Sequence, residues 1–227
     1  MTPRKQPVKP QTASKKTQSK GKLAPSSPLK NKSKVLSKDE KVVLISSEVA
    51  YRGPLFDVHS EYVREPGGVA SRRDVIRHTG SVVILAIDAR KNKKDPLVLL
   101  ERQYRHAAGQ YLWEMPAGRK EPNEASLPGA KRELIEETGY RARRWSKLIR
   151  FYPSPGFLGE WMQIYLAEEL TAGQAHPEKD EFIECQMVPL SEALRWVESN
   201  KIIDGKSMIA LLLYDRLLCD RLRRDRA

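Results

Sequence analysis

The chain has 227 residues, a formal net charge of +12 and two cysteines. That length is enough to fill a core, two cysteines argue against a disulfide-built scaffold and fit a reducing cytoplasm, and no run of 18 apolar residues is present to span a bilayer. The charge points to a nucleic-acid binder until it is divided: residues 1–38 hold 11 Lys and Arg and no acid, leaving 30 basic residues against all 29 acidic ones.

Residues 1–38 are rich in Lys, Ser, Thr, Gln and Pro, with few large apolar side chains before Val35. Such a segment cannot bury enough surface to offset its ordering entropy, and it reads as a disordered tail. It lacks the apolar stretch of a secretory signal. Its charge allows weak attachment to nucleic acid, although a solubilising extension explains it as well.

Residues 39–77 read as strands. Lys41–Ile45 and Leu55–Val63 flank a turn at Arg52-Gly53-Pro54, and a third strand over Ser71–Arg77 follows Glu65-Pro66-Gly67-Gly68. Residues 78–227 form the main domain. Ser81–Ala89 is a continuous apolar run, as in a strand buried on both faces, and Leu97–Tyr104 returns as its hairpin partner. The segment Glu114-Met115-Pro116-Ala117-Gly118 then leads to a helix with Ser126 as its N-cap and Gly139 as its C-terminal stop.

That helix carries Arg132-Glu133-Leu134 and Glu136-Glu137. At i, i+3 and i+4 the carboxylates of Glu133, Glu136 and Glu137 share one face. Arg132, four residues before Glu136, can orient one of them. All-oxygen donors this close suit a hard divalent cation; a solvated charged face is the plain alternative.

Strands follow at Trp145–Tyr152, Trp161–Glu168 and Phe182–Val188, with a loop at Thr171–Asp180. Helices are expected at Ser191–Ser199 and Ser207–Arg224, the latter with an apolar face of Met208, Leu211, Leu212, Tyr214, Leu218 and Leu222. His59, His78, His106 and His176 are scattered and form no ligand set.

Taken together, Gly118, Glu124, Arg132, Glu133, Leu134, Glu136, Glu137, Gly139 and Tyr140 resemble the Nudix box, the 23-residue signature of Nudix hydrolases. The flanking Gln103-Tyr104-Arg105, Trp113–Gly118, Ser154-Pro155-Gly156 and Glu160 are similar to the ADP-ribose pyrophosphatase branch. Pro155 lies 16 residues beyond Gly139, where that branch carries proline. The resemblance spans roughly residues 41–220. It implies an α/β fold, a Nudix α/β/α sandwich with a mixed sheet, preceded by a small N-terminal antiparallel sheet. It also implies a cytoplasmic enzyme that splits ADP-ribose or a related ADP-sugar into AMP and a sugar phosphate. The Ala117 carbonyl and the carboxylates of Glu133, Glu136 and Glu137 would hold Mg²⁺, or Mn²⁺ in its place. Arg105 would contact the diphosphate, and Glu114, Arg119, Ser154, Pro155, Gly156 and Glu160 would bind substrate. The general base would come from the loop HPEKDEF, as Glu178 or Glu181, with Asp180 nearby. The branch exchanges N-terminal strands within a homodimer, which could bring Arg72 or Arg73 to a partner's site; an exposed strand face explains them equally. Arg119 and Pro128-Gly129 depart from the branch's usual residues and put substrate preference in question. Two alternatives stand: another nucleoside diphosphate derivative as substrate (a nucleotide sugar, NADH or a damaged nucleoside triphosphate), or a module that binds ADP-ribose without cutting it.

Overall fold

The computed structural model describes residues 41–177 and 182–224. The basic tail and the loop acids Glu178, Asp180 and Glu181 lie outside them.

Three strands open the described chain: β1 (Val43–Arg52), β2 (Asp57–Arg64) and β3 (Ala70–Ile76). They form an antiparallel sheet in that order. β1 runs well past the Ile45 end expected for it, because its pairing with β2 continues through two register shifts to Arg52↔Asp57.

The central sheet has seven strands. β4 (Ser81–Asp88), β5 (Leu97–Arg105), β9 (Met162–Thr171), β8 (Arg141–Phe151) and β10 (Glu184–Pro189) run in the order β10-β5-β4-β9-β8, with β6 (Gln110–Glu114) on β5 and β7 (Ala117–Arg119) on β4. β4 and β9 are parallel, and the other pairings are antiparallel. β6 and β7 were not expected as strands. Pro116 interrupts the apolar pattern there, yet its carbonyl accepts the N–H of Ile84 at 2.9 Å.

The apolar run of β4 is explained by its two covered faces. Val83, Leu85 and Ile87 pack with Leu190, Ala193 and Trp196 of α2 (Leu190–Glu198) and with Ala210, Leu211, Tyr214 and Leu218 of α3 (Gly205–Arg224). Val82, Ile84 and Ala86 face the other way, onto Ala130 and Leu134 of α1 (Ser126–Thr138). The period-2 alternation of a strand thus feeds two cores, and the layers are α/β/α.

Two details differ from expectation. Ser126 is the first helical residue rather than the cap; Ala125 holds the cap position in extended backbone, and the Ser126 hydroxyl bonds Tyr165. Leu212 is 54% exposed, because it lies off the stripe formed by Leu211, Tyr214 and Leu218.

Candidate active site

Helix α1 sets the site. Ala130 and Leu134, both fully buried, seat it against the sheet. Gly139 ends it at φ +73°, and its N–H reaches the Ile135 carbonyl at 2.8 Å. A side chain there would be strained in conformation. It would also collide with the loop behind, since a Cβ would lie 2.6 Å from Ala175 N and Gly173 O. In the same loop, the His176 N–H donates to the Glu136 carbonyl at 2.8 Å.

Seated in this way, α1 turns Glu133 and Glu137 inward, toward β7. The Ala117 N–H donates to Glu137 Oε2 at 3.1 Å. The Glu133 carboxylate occupies the space that a Cβ on Gly118 would need, so only glycine there lets the backbone approach. Both glutamates are buried. Arg132 orients the group: Nε meets Glu124 Oε1 at 3.1 Å, Nη2 meets Glu133 Oε1 at 2.8 Å and Nη1 meets Glu136 Oε2 at 2.8 Å. The bond from Arg132 holds the Glu124 carboxyl below its ordinary value, against the opposing effect of burial. The bond to Glu124 in turn raises Arg132. Gly129 has a packing reason here, because a Cβ would sit 2.8 Å from Glu124 Oε2.

Beside β7 opens a crevice of about 330 Å³, lined by Ser81, Arg105, Ala117, Gly118, Arg119, Glu160, Met162 and Lys206. Arg105 grips Glu114 in two parallel bonds of 2.7 and 2.9 Å, the strong fork geometry for this pair. Burial alone would lower the Arg105 guanidinium, but Glu114 outweighs it and the group stays above its ordinary value. Glu160 accepts the Ser81 hydroxyl and stands 3.7 Å from His78 Nδ1. Arg119 donates to the Leu55 carbonyl at 3.0 Å, tying the crevice rim to the β1–β2 turn.

Of the residues singled out in the sequence, Arg105, Ala117, Arg119 and Glu160 meet around this crevice, with Glu114 1% exposed and bonded to Arg105. Glu133 and Glu137 adjoin it through Gly118 and Ala117. The side chain of Glu136 is 42% exposed and turned to Arg132. Among the described residues no three His, Cys, Asp or Glu side chains already converge as a metal cage. Ser154, Pro155 and Gly156 are not part of the crevice wall. They form the turn that delivers Glu160, pinned to β3 by Ile76 N–H to Phe157 O and Gly159 N–H to Ile76 O, each 2.8 Å. Arg72 and Arg73 do not reach the crevice of their own chain; they pair with Asp74 and Glu65 on the outer sheet.

Sequence reasoning missed Ser81, Met162 and Lys206. For Lys206 a signal existed. Asp204 and Ser207 stand three apart before an apolar helix, an N-cap spacing. Asp204 Oδ2 does accept the Ser207 N–H at 3.0 Å, which places Lys206 in the first turn of α3.

A family model described as NUDIX domain matches residues 77–210. A protein of Bacillus subtilis (strain 168) named ADP-ribose pyrophosphatase is 37% identical over 169 residues, covering 74% of this chain and 89% of its own length. A Bacillus methanolicus protein named methanol dehydrogenase activator is 34% identical over 169 residues, with the same coverage of 74% and 89%. The fold is similar to that of a crystal structure described as an ADP compounds hydrolase, with a TM-score of 0.70 and 23% identity over 83% of this chain and 98% of that one.

Proposed function

The chain belongs to the Nudix family, and on that premise we propose that it hydrolyses the diphosphate of ADP-ribose or a related ADP-sugar to AMP and a sugar phosphate. One observation carries the reading most: a fork-held arginine, Arg105, lines the same crevice as Ala117 and Gly118, the backbone against which Glu137 and Glu133 are packed. The name of the Bacillus subtilis relative supports the substrate class.

Nudix hydrolases generally need a divalent metal. The donor set fits one: two buried carboxylates packed against the Ala117-Gly118 backbone, oxygen donors suited to a hard ion. Glu133, Glu137, the Ala117 carbonyl and Glu136 are the residues that would hold it, as Mg²⁺ or Mn²⁺. Such an ion neutralises diphosphate charge and makes water more acidic.

Arg105 orients the diphosphate, and Arg132 holds the carboxylates of Glu136 and Glu133 in position. Water adds to one phosphorus, the bond from that phosphorus to the bridging oxygen breaks, and the bridging oxygen leaves with the other half. The proton lost by water goes to a carboxylate of the loop after His176, Glu178 or Glu181. The docking of that loop on Gly139 and on the Glu136 carbonyl supports a base from this direction.

We further assign residues 39–77 to dimerisation. Every residue of β1 is exposed, and Val43, Leu44 and Ile45 are each about half exposed, as an edge awaiting a second copy would be. In that dimer Arg72 or Arg73 reaches the partner's crevice, and Ser154 to Gly156 line the substrate from the loop. No helix among the described residues is long and apolar enough to cross a membrane, and the free Cys185 and Cys219 suit the cytoplasm. The tail, residues 1–38, would add weak nucleic-acid contact.

A panel of nucleoside diphosphate derivatives at fixed Mg²⁺, scored by kcat/KM with product identification, tests the reading. ADP-ribose should lead and give AMP and ribose 5-phosphate. A second reading keeps the site and changes the substrate; a tenfold better substrate elsewhere in the panel would establish it. Binding without turnover would instead identify a non-hydrolysing module, a reading that the retained Glu133, Glu136 and Glu137 disfavour.

A further inference from the structure

We propose that Lys206 is a second diphosphate-binding cation of the crevice, with Glu114 the positioning residue that holds Arg105 and Lys206 side by side. This rests on the diphosphate chemistry proposed above.

Lys206 lies in the first turn of α3. A cation is disfavoured there, since the N-terminal end of a helix carries partial positive charge. Its ammonium is nevertheless buried, with the side chain 9% exposed. It bonds Glu114 and stands 3.1 Å from Asp204 Oδ1. Burial works against the charged form, yet Asp204 and Glu114 outweigh it and keep the ammonium protonated. The segment cannot swing away. Asp204 caps Ser207, and the Ser207 hydroxyl accepts the Met115 N–H at 2.8 Å, fastening α3 to the residue after Glu114.

Glu114 therefore binds two cations at once, through both arms of Arg105 and through Lys206. Arg105 and Lys206 both line the crevice, whereas Glu114 and Asp204 do not. Arg105 and Lys206 are thus presented to the crevice together with Arg119, and Glu160 is the one carboxylate in its lining. Two donors fixed in advance suit a diphosphate, because little side-chain freedom is lost on binding. Lys206 also lines an adjoining apolar cavity of about 360 Å³, with Phe151, Tyr152, Met162 and Ile209. It thus stands where the crevice continues toward a space for one of the flanking groups. A lysine serving only to brace α3 would not need to face either cavity.

The test uses inorganic pyrophosphate as the probe, titrated calorimetrically against the full chain, beside steady-state kinetics on ADP-ribose. Lys206→Met should weaken pyrophosphate binding and raise KM by about tenfold each, with a smaller change in kcat, and should flatten the salt dependence of binding. Lys206→Arg should recover most of the loss. Glu114→Gln should weaken pyrophosphate binding as well, by releasing both cations. A folded Lys206→Met protein with wild-type pyrophosphate affinity overturns the proposal, as does a wild-type protein that binds no pyrophosphate. If Lys206→Met does not fold, Lys206→Gln is measured by the same titration, and unchanged affinity there also overturns it. Pyrophosphate carries no nucleoside or sugar, so this result is independent of whether ADP-ribose is the substrate.

Discussion

β4 and β1 are both apolar strands, and only one of them is covered. β4 is buried over seven of its eight residues, between α1 on one face and α2 with α3 on the other. β1 is exposed at all ten positions. Hydrophobicity alone therefore does not say where a strand ends up; what matters is which elements the rest of the chain supplies to cover it. For β4 the chain supplies three helices. For β1 it supplies one neighbour, β2, and leaves both faces and an edge open.

Four experiments sharpen or break that contrast, in order of expected effect. The proposed site lies on the covered side, where α1 packs on β4, so Glu137→Gln should lower kcat by on the order of 10³-fold while the circular dichroism spectrum and Tm stay near wild type; wild-type turnover would remove Glu137 from the site. Next come paired truncations, one in each region. Leu134→Ala, under the central sheet, should cost about 2–5 kcal/mol in denaturant unfolding. Ile45→Ala, 49% exposed in β1, should cost within about 0.5 kcal/mol in a dilute monomer. Equal costs would mean that β1 is as well packed as the core.

The third experiment replaces Val43 and Ile45 together by Lys. Light scattering should show the mass falling from two chains to one, with the central domain still folded. A wild-type protein already monomeric at high concentration would end the dimer assignment. The smallest effect concerns acid. Glu124 has its pKa lowered in the folded chain by Arg132. Its contribution to stability is therefore fully present above the unfolded carboxylate value and is lost as pH falls through the folded one. Arg132→Met should make the loss of stability below about pH 4.5 shallower; an acid limb identical to wild type would show that the pair contributes nothing.

Much of the architecture was legible because it depends on local chemistry. The β4 run, the glycine stop at Gly139 and the Glu133/Glu137 spacing each follow from residues close in sequence, and each stands in the structure. β6 and β7 were not legible. They are short, flank Met115-Pro116, and exist because β5 and β4 offer them edges. The N-cap expected at Ser126 falls at Ala125, and the Ser126 hydroxyl is bonded to Tyr165 of a strand distant in sequence. Among the proposed site residues, those inside the box were reached through the resemblance to the Nudix box, with their spacing placing the carboxylates on one helix face. Ser81 and Met162 were not, and the cap spacing near Lys206 marks only a helix start; the three converge only when β4, β9 and α3 are assembled, with Lys206 125 positions after Ser81.

The docking of the loop at His176 has a consequence for how such a chain can diverge. The His176 N–H is fastened to the Glu136 carbonyl, and Gly173 to Ala175 are closed against Gly139. The loop stem is thereby indexed to the helix that carries the acidic residues. If the base comes from this loop as proposed, insertions or deletions after His176 would change which carboxylate serves without re-aiming Glu133 or Glu137. Changes before it would break the seam. The stem thus works as a mounting point, separating a part of the enzyme free to drift in length from a part that has to stay in register.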